Sequence, residues 1–196
     1  MENNKFASSI PACNMIIALL IFAQIPIMFG AVSPDAMLYV LPWLMAAYPV
    51  LLLCIVFMFK NGEFVDATLN SILSGVLMGQ NFVRGIMLLT MYNAGTQPTP
   101  ELVMASYAID TWVYLAAGLI LVVAGWLCHF QSKMGAIGVW CGAIGFLALS
   151  AMNAGLGQFF GLIGGIGLVI LGAYLLYSGL AMLVNTVMPK PIIPIK

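Results

Sequence analysis

Four polar residues of one apolar segment share a side of a predicted helix, and their side chains could bind a polar solute. They are Asn70, Ser74, Asn81 and Arg84. At about 100° per residue they fall within roughly 40° of one line along the helix, with Gly75 and Gly79 on the opposite side. A polar face in hydrocarbon is costly unless it faces protein or a water-filled path. The pattern therefore predicts a helix whose polar face lines a path and whose glycine face packs closely.

The composition indicates an integral membrane protein. The chain has 196 residues, of which 63% are hydrophobic and only 6% are charged, against about 25% charged in soluble domains. The formal net charge is zero, so no basic surface for nucleic acid is expected. Nearly every residue belongs to a span or a short connection, and no metal-ligand or nucleophile–base cluster is visible. We therefore expect no enzyme activity, no catalytic residues, no metal and no cofactor.

Apolar stretches long enough to cross a bilayer recur along the whole chain. Since a span needs about 20 apolar residues, we predict one all-α membrane domain over residues 1–196. Its six transmembrane helices lie at about residues 11–31, 36–59, 64–92, 101–128, 134–153 and 159–185. Pro42 and Pro49 interrupt the second span.

The few charges between the spans fall into two groups. Lys5, Lys60, Lys133, Lys190 and Lys196 lie on one side of the predicted bundle, whereas Asp35 and Glu101 lie on the other. Lysine and arginine are enriched in cytoplasmic loops. We therefore expect both termini to be cytoplasmic, in agreement with an even number of spans.

Arg84 and Asp110 are predicted to form an ion pair. Each lies 13 residues from residue 97, the centre of the loop between the third and fourth spans. Antiparallel neighbours would therefore hold them at similar depth, where pairing offsets the cost of burying two charges. The pair could be purely architectural, or Arg84 could attract an anion, or Asp110 could couple transport to protons.

Two further features of the late spans leave alternatives open. Asn153 ends the fifth span, where it could turn its amide towards a path or cap the helix before Gly155. Glycines also recur there at helical spacing, and such grooves favour close packing within a protomer, between protomers, or both. They are Gly138, Gly142, Gly161, Gly165, Gly172 and Gly179.

Four stretches support a resemblance when they are taken together. They are the turn Lys60–Phe64, the helix end Ser150–Asn153, the glycine-rich Phe160–Gly164 and the tail Asn185–Pro189. In sequence and order they resemble stretches of the acetate uptake transporter family. The resemblance implies a hexameric ring in the inner membrane, with one path per protomer. It also implies transport of an acetate-like monocarboxylate, or of succinate, by a channel or a proton-linked carrier.

The chain departs from that family at its expected constriction. Ser8–Asn14 stands where the family has Asn-Pro-Ala-Pro-Leu-Gly-Leu, and one proline is retained. The positions that narrow the family's path match Ile17, Ile72 and Gly142, so two aromatic side chains are replaced and the constriction is wider or placed elsewhere. Together, the polar pattern and the resemblance give the predicted path residues: Asn14, Ile17, Asn70, Ile72, Ser74, Asn81, Arg84, Asp110, Gly142 and Asn153.

Two other functions are compatible with the sequence. The amides Asn70, Gln80, Asn81 and Asn153 would suit a channel for urea or short-chain amides, a neutral solute that donates and accepts hydrogen bonds. Alternatively, the glycine faces could exist only for partner packing, as in a membrane scaffold that transports nothing. In each case the bilayer is a partner and a homo-oligomer is expected.

Overall fold

The computed structural model describes residues 7–33 and 36–194, without the side chains of Leu77, Met78 and Gln80. Lys5, Asp35 and Lys196 of the predicted charge pattern thus lie outside the described residues. The described chain is all-helical, with no strand. Its helices are α1 (Ile10–Met28), α2 (Met37–Asn61), α3 (Phe64–Asn93), α4 (Pro100–His129), α5 (Lys133–Asn153) and α6 (Phe159–Val187).

All six helices are long and apolar enough to cross a membrane, as expected for a multi-pass membrane protein. Each helix end lies within three residues of the end of the predicted span. The prediction that Pro42 and Pro49 interrupt the second span is wrong, because α2 runs through both as one helix. Neighbouring helices and local adjustments can satisfy the backbone groups that a proline frees within a membrane.

The helices form a closed ring in chain order. Each packs against the next, α6 packs against α1, and α1 also contacts α3. We call the end where α1 begins and α6 ends the proximal end; it also holds the turns at 62–63 and 130–132. The opposite, distal end holds the connections at 94–99 and 154–158.

Glycines of α5 and α6 bring these two helices into backbone contact. A Cβ at Gly167 would lie 2.5 Å from the carbonyl oxygen of Cys141 and 2.8 Å from Cα of Gly145. The backbones can approach so closely only because neither glycine has a side chain. Gly172 and Gly179 likewise accommodate side chains of α1. The late glycine grooves therefore serve packing within one chain.

Two of the three glycines of α3, Gly75 and Gly79, differ from those of α5 and α6. Gly75 and Gly79 are exposed, and a Cβ added at either would meet no described atom within 4 Å. The prediction that this face packs closely is therefore wrong within the chain. The opposite, polar face of α3 is the one that turns into the bundle, where Asn70, Ser74 and Asn81 are buried.

Candidate functional site

A cavity of about 480 Å³ lies in the distal half of the bundle. Its walls come mainly from α1, α3, α4 and α5, and its lining is mostly apolar. The polar side chains that line it are Gln24, Asn81, Arg84, Ser106, Tyr107, Asp110, Tyr114 and Asn153. A cavity of this size with a few convergent polar groups is typical of a small-molecule site.

The predicted ion pair is present on the wall of the cavity. Nη2 of Arg84 lies 2.6 Å from Oδ2 of Asp110, and the same nitrogen also donates to the hydroxyl of Ser106. The guanidinium carbon lies 5.8 Å from the centre of the Tyr107 ring, which adds a cation–π contact. Helix α4 thus supplies three of the groups that hold Arg84 in place.

The Arg84 side chain keeps part of its binding capacity. Its two hydrogen bonds both involve Nη2, and Nε and Nη1 bond to none of the described residues. The side chain is 26% exposed, against 10% for Asp110. Since a guanidinium offers five N–H donors in a fixed plane, Arg84 can hold Asp110 and still donate to a solute in the cavity.

About one helical turn nearer the proximal end, two amides join α1 to α3. Nδ2 of Asn81 donates to Oε1 of Gln24 at 2.9 Å, and Nε2 of Gln24 donates to the backbone carbonyl of Leu20 at 3.2 Å. Both amides are buried and line the cavity. Gln24 was not among the predicted path residues. The available indication was that Gln24 is, with Asn14, one of two polar residues in an otherwise apolar helix.

Asn153 lies at the distal end of α5 and lines the cavity. It is the last residue of the helix, and the chain then turns through Gly155 and Gly157 at φ values of 85° and 126°. Its side-chain amide makes no hydrogen bond with the described residues. Asn153 therefore presents its amide to the cavity, whereas the helix ends on the C-cap Ala154 without a hydrogen bond from the Asn153 side chain.

A second polar cluster lies in the proximal half, outside the cavity. Nδ2 of Asn70 donates to Oδ1 of Asn14 at 3.3 Å, and Nδ2 of Asn14 donates to the hydroxyl of Ser178 at 3.1 Å. All three residues are buried. The cluster joins α1, α3 and α6, and the sequence did not indicate that α6 would contribute to it.

These contacts fix the register of α1 against α3. Asn14 and Asn70 are 56 residues apart, and Gln24 and Asn81 are 57 apart. The same offset places Ile17, which is fully buried, level with Ser74. The layer of the bundle that contains Ile17 therefore lies between the cavity and the proximal cluster. Ser74 is the polar residue that α3 contributes to this layer.

Two predicted path residues lie elsewhere. Ile72 lines a shallow apolar groove of about 540 Å³ between α3 and α4, because it stands roughly 200° around the helix from Asn70. Gly142 packs against Leu171 at the α5–α6 interface, where a Cβ would lie 2.6 Å from a methyl carbon of that leucine. Neither residue lines the cavity. The side chain of Gln80 lies outside the described part of the chain.

Comparison of the chain with protein families, with curated proteins and with solved structures finds no match.

Proposed function

We propose that the protein transports a small carboxylate, an acetate-like monocarboxylate or succinate, across a membrane along the polar face of α3. The observation that carries this proposal is the distal cavity, where Arg84 has unused N–H donors beside Asn81 and Gln24. Guanidinium groups are well suited to carboxylates because both are planar and pair through two hydrogen bonds. The cavity would thus admit the solute and orient it.

The pairing of Arg84 with Asp110 suits a transport path, from which a bound anion must be released, better than a site that retains the anion. An unpaired arginine in a largely apolar cavity would hold an anion too tightly to release it. Conduction requires binding that is favourable enough for entry and weak enough for exit. Asp110, at 2.6 Å from Arg84, lowers the positive potential while leaving the remaining donors in place.

Polar groups continue beyond the cavity along the same face of α3. Ser74 and Asn70 follow Asn81 towards the proximal end and are buried inside the bundle. Ile17 stands level with Ser74, as the register of α1 and α3 requires. We assign the constriction to this level, so that Ile17 must move aside when a solute passes.

The charges of the connecting segments suggest an orientation. Lys60, Lys133 and Lys190 lie near the proximal end, whereas Glu101 lies at the distal end. By the bias of basic residues towards the cytoplasm, the proximal end with both termini is cytoplasmic and the cavity opens outward. We place the protein in the cytoplasmic membrane, as the sequence resemblance implies.

A hexameric ring is part of the proposal. It derives from the sequence resemblance, and one feature of α3 supports it. Gly75 and Gly79 present an exposed small-residue face, and among the described residues nothing beyond the local helix backbone lies within 4 Å of an added Cβ. Such faces allow helices of neighbouring protomers to approach closely.

A channel for urea or short-chain amides is the second candidate. The observation that favours it is the neutralisation of Arg84 by Asp110, which leaves the cavity wall without a net charge. The amides of Gln24, Asn81 and Asn153 would then bind a neutral solute that donates and accepts hydrogen bonds. The scaffold function has less support, because the late glycines are used within the chain.

Uptake by purified protein in liposomes distinguishes these functions. Labelled acetate, succinate and urea are supplied at two external pH values, with protein-free vesicles as the background. Carboxylate uptake above the background supports the proposal, and its dependence on a proton gradient would identify a coupled carrier. Urea uptake alone supports the amide channel, and no uptake of any solute favours the scaffold.

A further inference from the structure

In the proximal half of the bundle, the inward face of α3 carries two buried polar atoms that have no hydrogen-bond partner among the described residues. They are Oδ1 of Asn70 and the hydroxyl oxygen of Ser74, in residues that are only 3% and 2% exposed. The two residues are one helical turn apart on the same face of α3. Because buried polar groups in proteins are nearly always paired, two adjacent exceptions indicate a site for a ligand.

The neighbours of Asn70 fix the orientation of its amide. Nδ2 lies 3.0 Å from the backbone carbonyl oxygen of Asp66, and a carbonyl can only accept a hydrogen bond. The nitrogen must therefore face Asp66, and the amide cannot be turned around without losing that bond. Oδ1 of Asn70 is consequently an acceptor with no donor.

The rest of the cluster agrees with this orientation. The hydroxyl of Ser178 donates to the backbone carbonyl of Leu175 at 3.1 Å, so its oxygen accepts from Nδ2 of Asn14. Oδ1 of Asn14 then faces Nδ2 of Asn70. Both hydrogens of the Asn70 amide are thus directed at acceptors, Oδ1 of Asn14 and the carbonyl of Asp66, and no described residue donates to Oδ1 of Asn70.

We infer that the Asn70–Ser74 level binds a small neutral molecule that donates a hydrogen bond to Oδ1 of Asn70. Ser74 supplies the second contact, because its hydroxyl can donate to or accept from the same molecule. Protonated carboxylic acids and primary amides have this pattern, since each carries a donor next to a carbonyl oxygen. Asn70 and Ser74 are thus residues that determine specificity.

A carboxylate does not fit this level. It has acceptors only, so it would bring an oxygen against the unpaired Oδ1 of Asn70. Arg84 lies 14 residues further along α3, which is about 21 Å at 1.5 Å per residue. The ionisable side chain one turn away is Asp66, an acid. The distal cavity can therefore admit an anion, whereas the Asn70–Ser74 level selects a neutral donor.

This inference rests on the proposed function and is tested with three solutes of similar shape. Acetamide always carries a donor, acetate carries one when protonated, and methanesulfonate remains an anion without a donor. In liposomes we expect uptake of acetate and acetamide above protein-free vesicles, and none of methanesulfonate.

Methanesulfonate entering as fast as acetate overturns the inference and leaves anion transport standing. Acetamide uptake without acetate uptake overturns carboxylate transport and leaves the site standing. Uptake of neither overturns both.

Variants then test the residues themselves. Asn70→Leu removes the acceptor and should lower acetamide uptake about tenfold, as expected for one lost hydrogen bond. Ser74→Ala makes a smaller change and should lower it about threefold. Ser71→Ala is the matched control, because that hydroxyl bonds to the carbonyl of Ala67 in its own helix and should leave uptake unchanged. If Asn70→Leu does not fold, the acetamide uptake of Ser74→Ala is compared with that of Ser71→Ala, and this comparison tests the inference. Equal uptake by wild type and the folded Asn70 or Ser74 variants overturns the inference.

Discussion

Two regions of this bundle use glycine in opposite ways. At the α5–α6 interface, a Cβ at Gly167 would overlap the backbone of α5, and one at Gly145 would lie only 3.1 Å from the backbone of α6. On α3, Gly75 and Gly79 are exposed and have open space around them. Glycines recur at short helical intervals in both regions, as Gly142 and Gly145 do on α5 and Gly75 and Gly79 do on α3, so the sequences look alike. Only the facing surface distinguishes a packed interface from an open one.

The same contrast separates the polar residues. The α5–α6 interface is dominated by glycine and apolar side chains, whereas the inward face of α3 is polar. Of its residues, Asn70 and Asn81 have partners on α1 and Arg84 has one on α4. Helices that touch through their backbones resist displacement, because packed interiors have few alternative arrangements. We therefore interpret α5–α6 as a fixed frame and the inward face of α3, with its partners on α1 and α4, as the surface that binds solute.

The largest effect is expected at the fixed frame. Gly167→Ala places a methyl group against the backbone of α5, which cannot move as cheaply as a flexible side chain. We expect the free energy of unfolding in detergent to fall by about 3 kcal/mol. Gly79→Ala adds the same methyl group where the single chain leaves open space. Measured on the detergent-solubilised monomer it is the matched control, with a change within about 1 kcal/mol. Equal losses for the two variants would show that the two glycine faces do not differ.

A smaller loss of stability is expected at the ion pair. Arg84→Gln leaves Asp110 buried without its cation and should lower the free energy of unfolding by about 2 kcal/mol, a value reduced for the partial exposure of Arg84. The double variant Arg84→Gln with Asp110→Asn removes both charges and should regain at least half of the loss. If the double variant is as unstable as the sum of the single variants, the two side chains are not coupled.

The smallest effect is expected at the constriction. Ile17→Val removes one methyl group level with Ser74 and should raise the uptake of propionate relative to acetate by about two- to threefold, because one methylene in an apolar site changes discrimination by a modest factor. Ile72→Val makes the same change in the shallow groove between α3 and α4 and should leave the ratio of propionate to acetate uptake unchanged. A response to Ile72→Val alone would place the constriction on the α3–α4 side.

The sequence was sufficient for the helices and for part of the site. Apolar length fixed the spans, helical periodicity predicted that the face of α3 with Asn81 turns inward, and equal distance from a loop predicted the pair of Arg84 and Asp110. Each of these follows from geometry within one helix or one hairpin. The same periodicity puts Ile72 on the far side of α3, and the structure agrees with this rather than with the resemblance.

The remaining contacts depend on which helix faces which, and periodicity alone does not contain that information. Gln24 is one glutamine in an apolar helix, and only the register of α1 against α3 makes it the partner of Asn81. Ser178 joins the proximal cluster through the contact of α6 with α1. Gly142 looked like a path position, but its open side is filled by Leu171.

Uptake by an Asn81 variant tests the central claim, that the inward face of α3 is a solute path, most directly. Asn81→Leu keeps the shape of the side chain and removes its hydrogen bonds, whereas Thr90→Val makes a similar change at an exposed position of α3. In liposomes we predict that Asn81→Leu lowers acetate uptake about tenfold while the protein still elutes as a folded species, and that Thr90→Val has no effect. Normal acetate uptake by Asn81→Leu would contradict this claim and would show that the polar residues of α3 serve only to hold helices together.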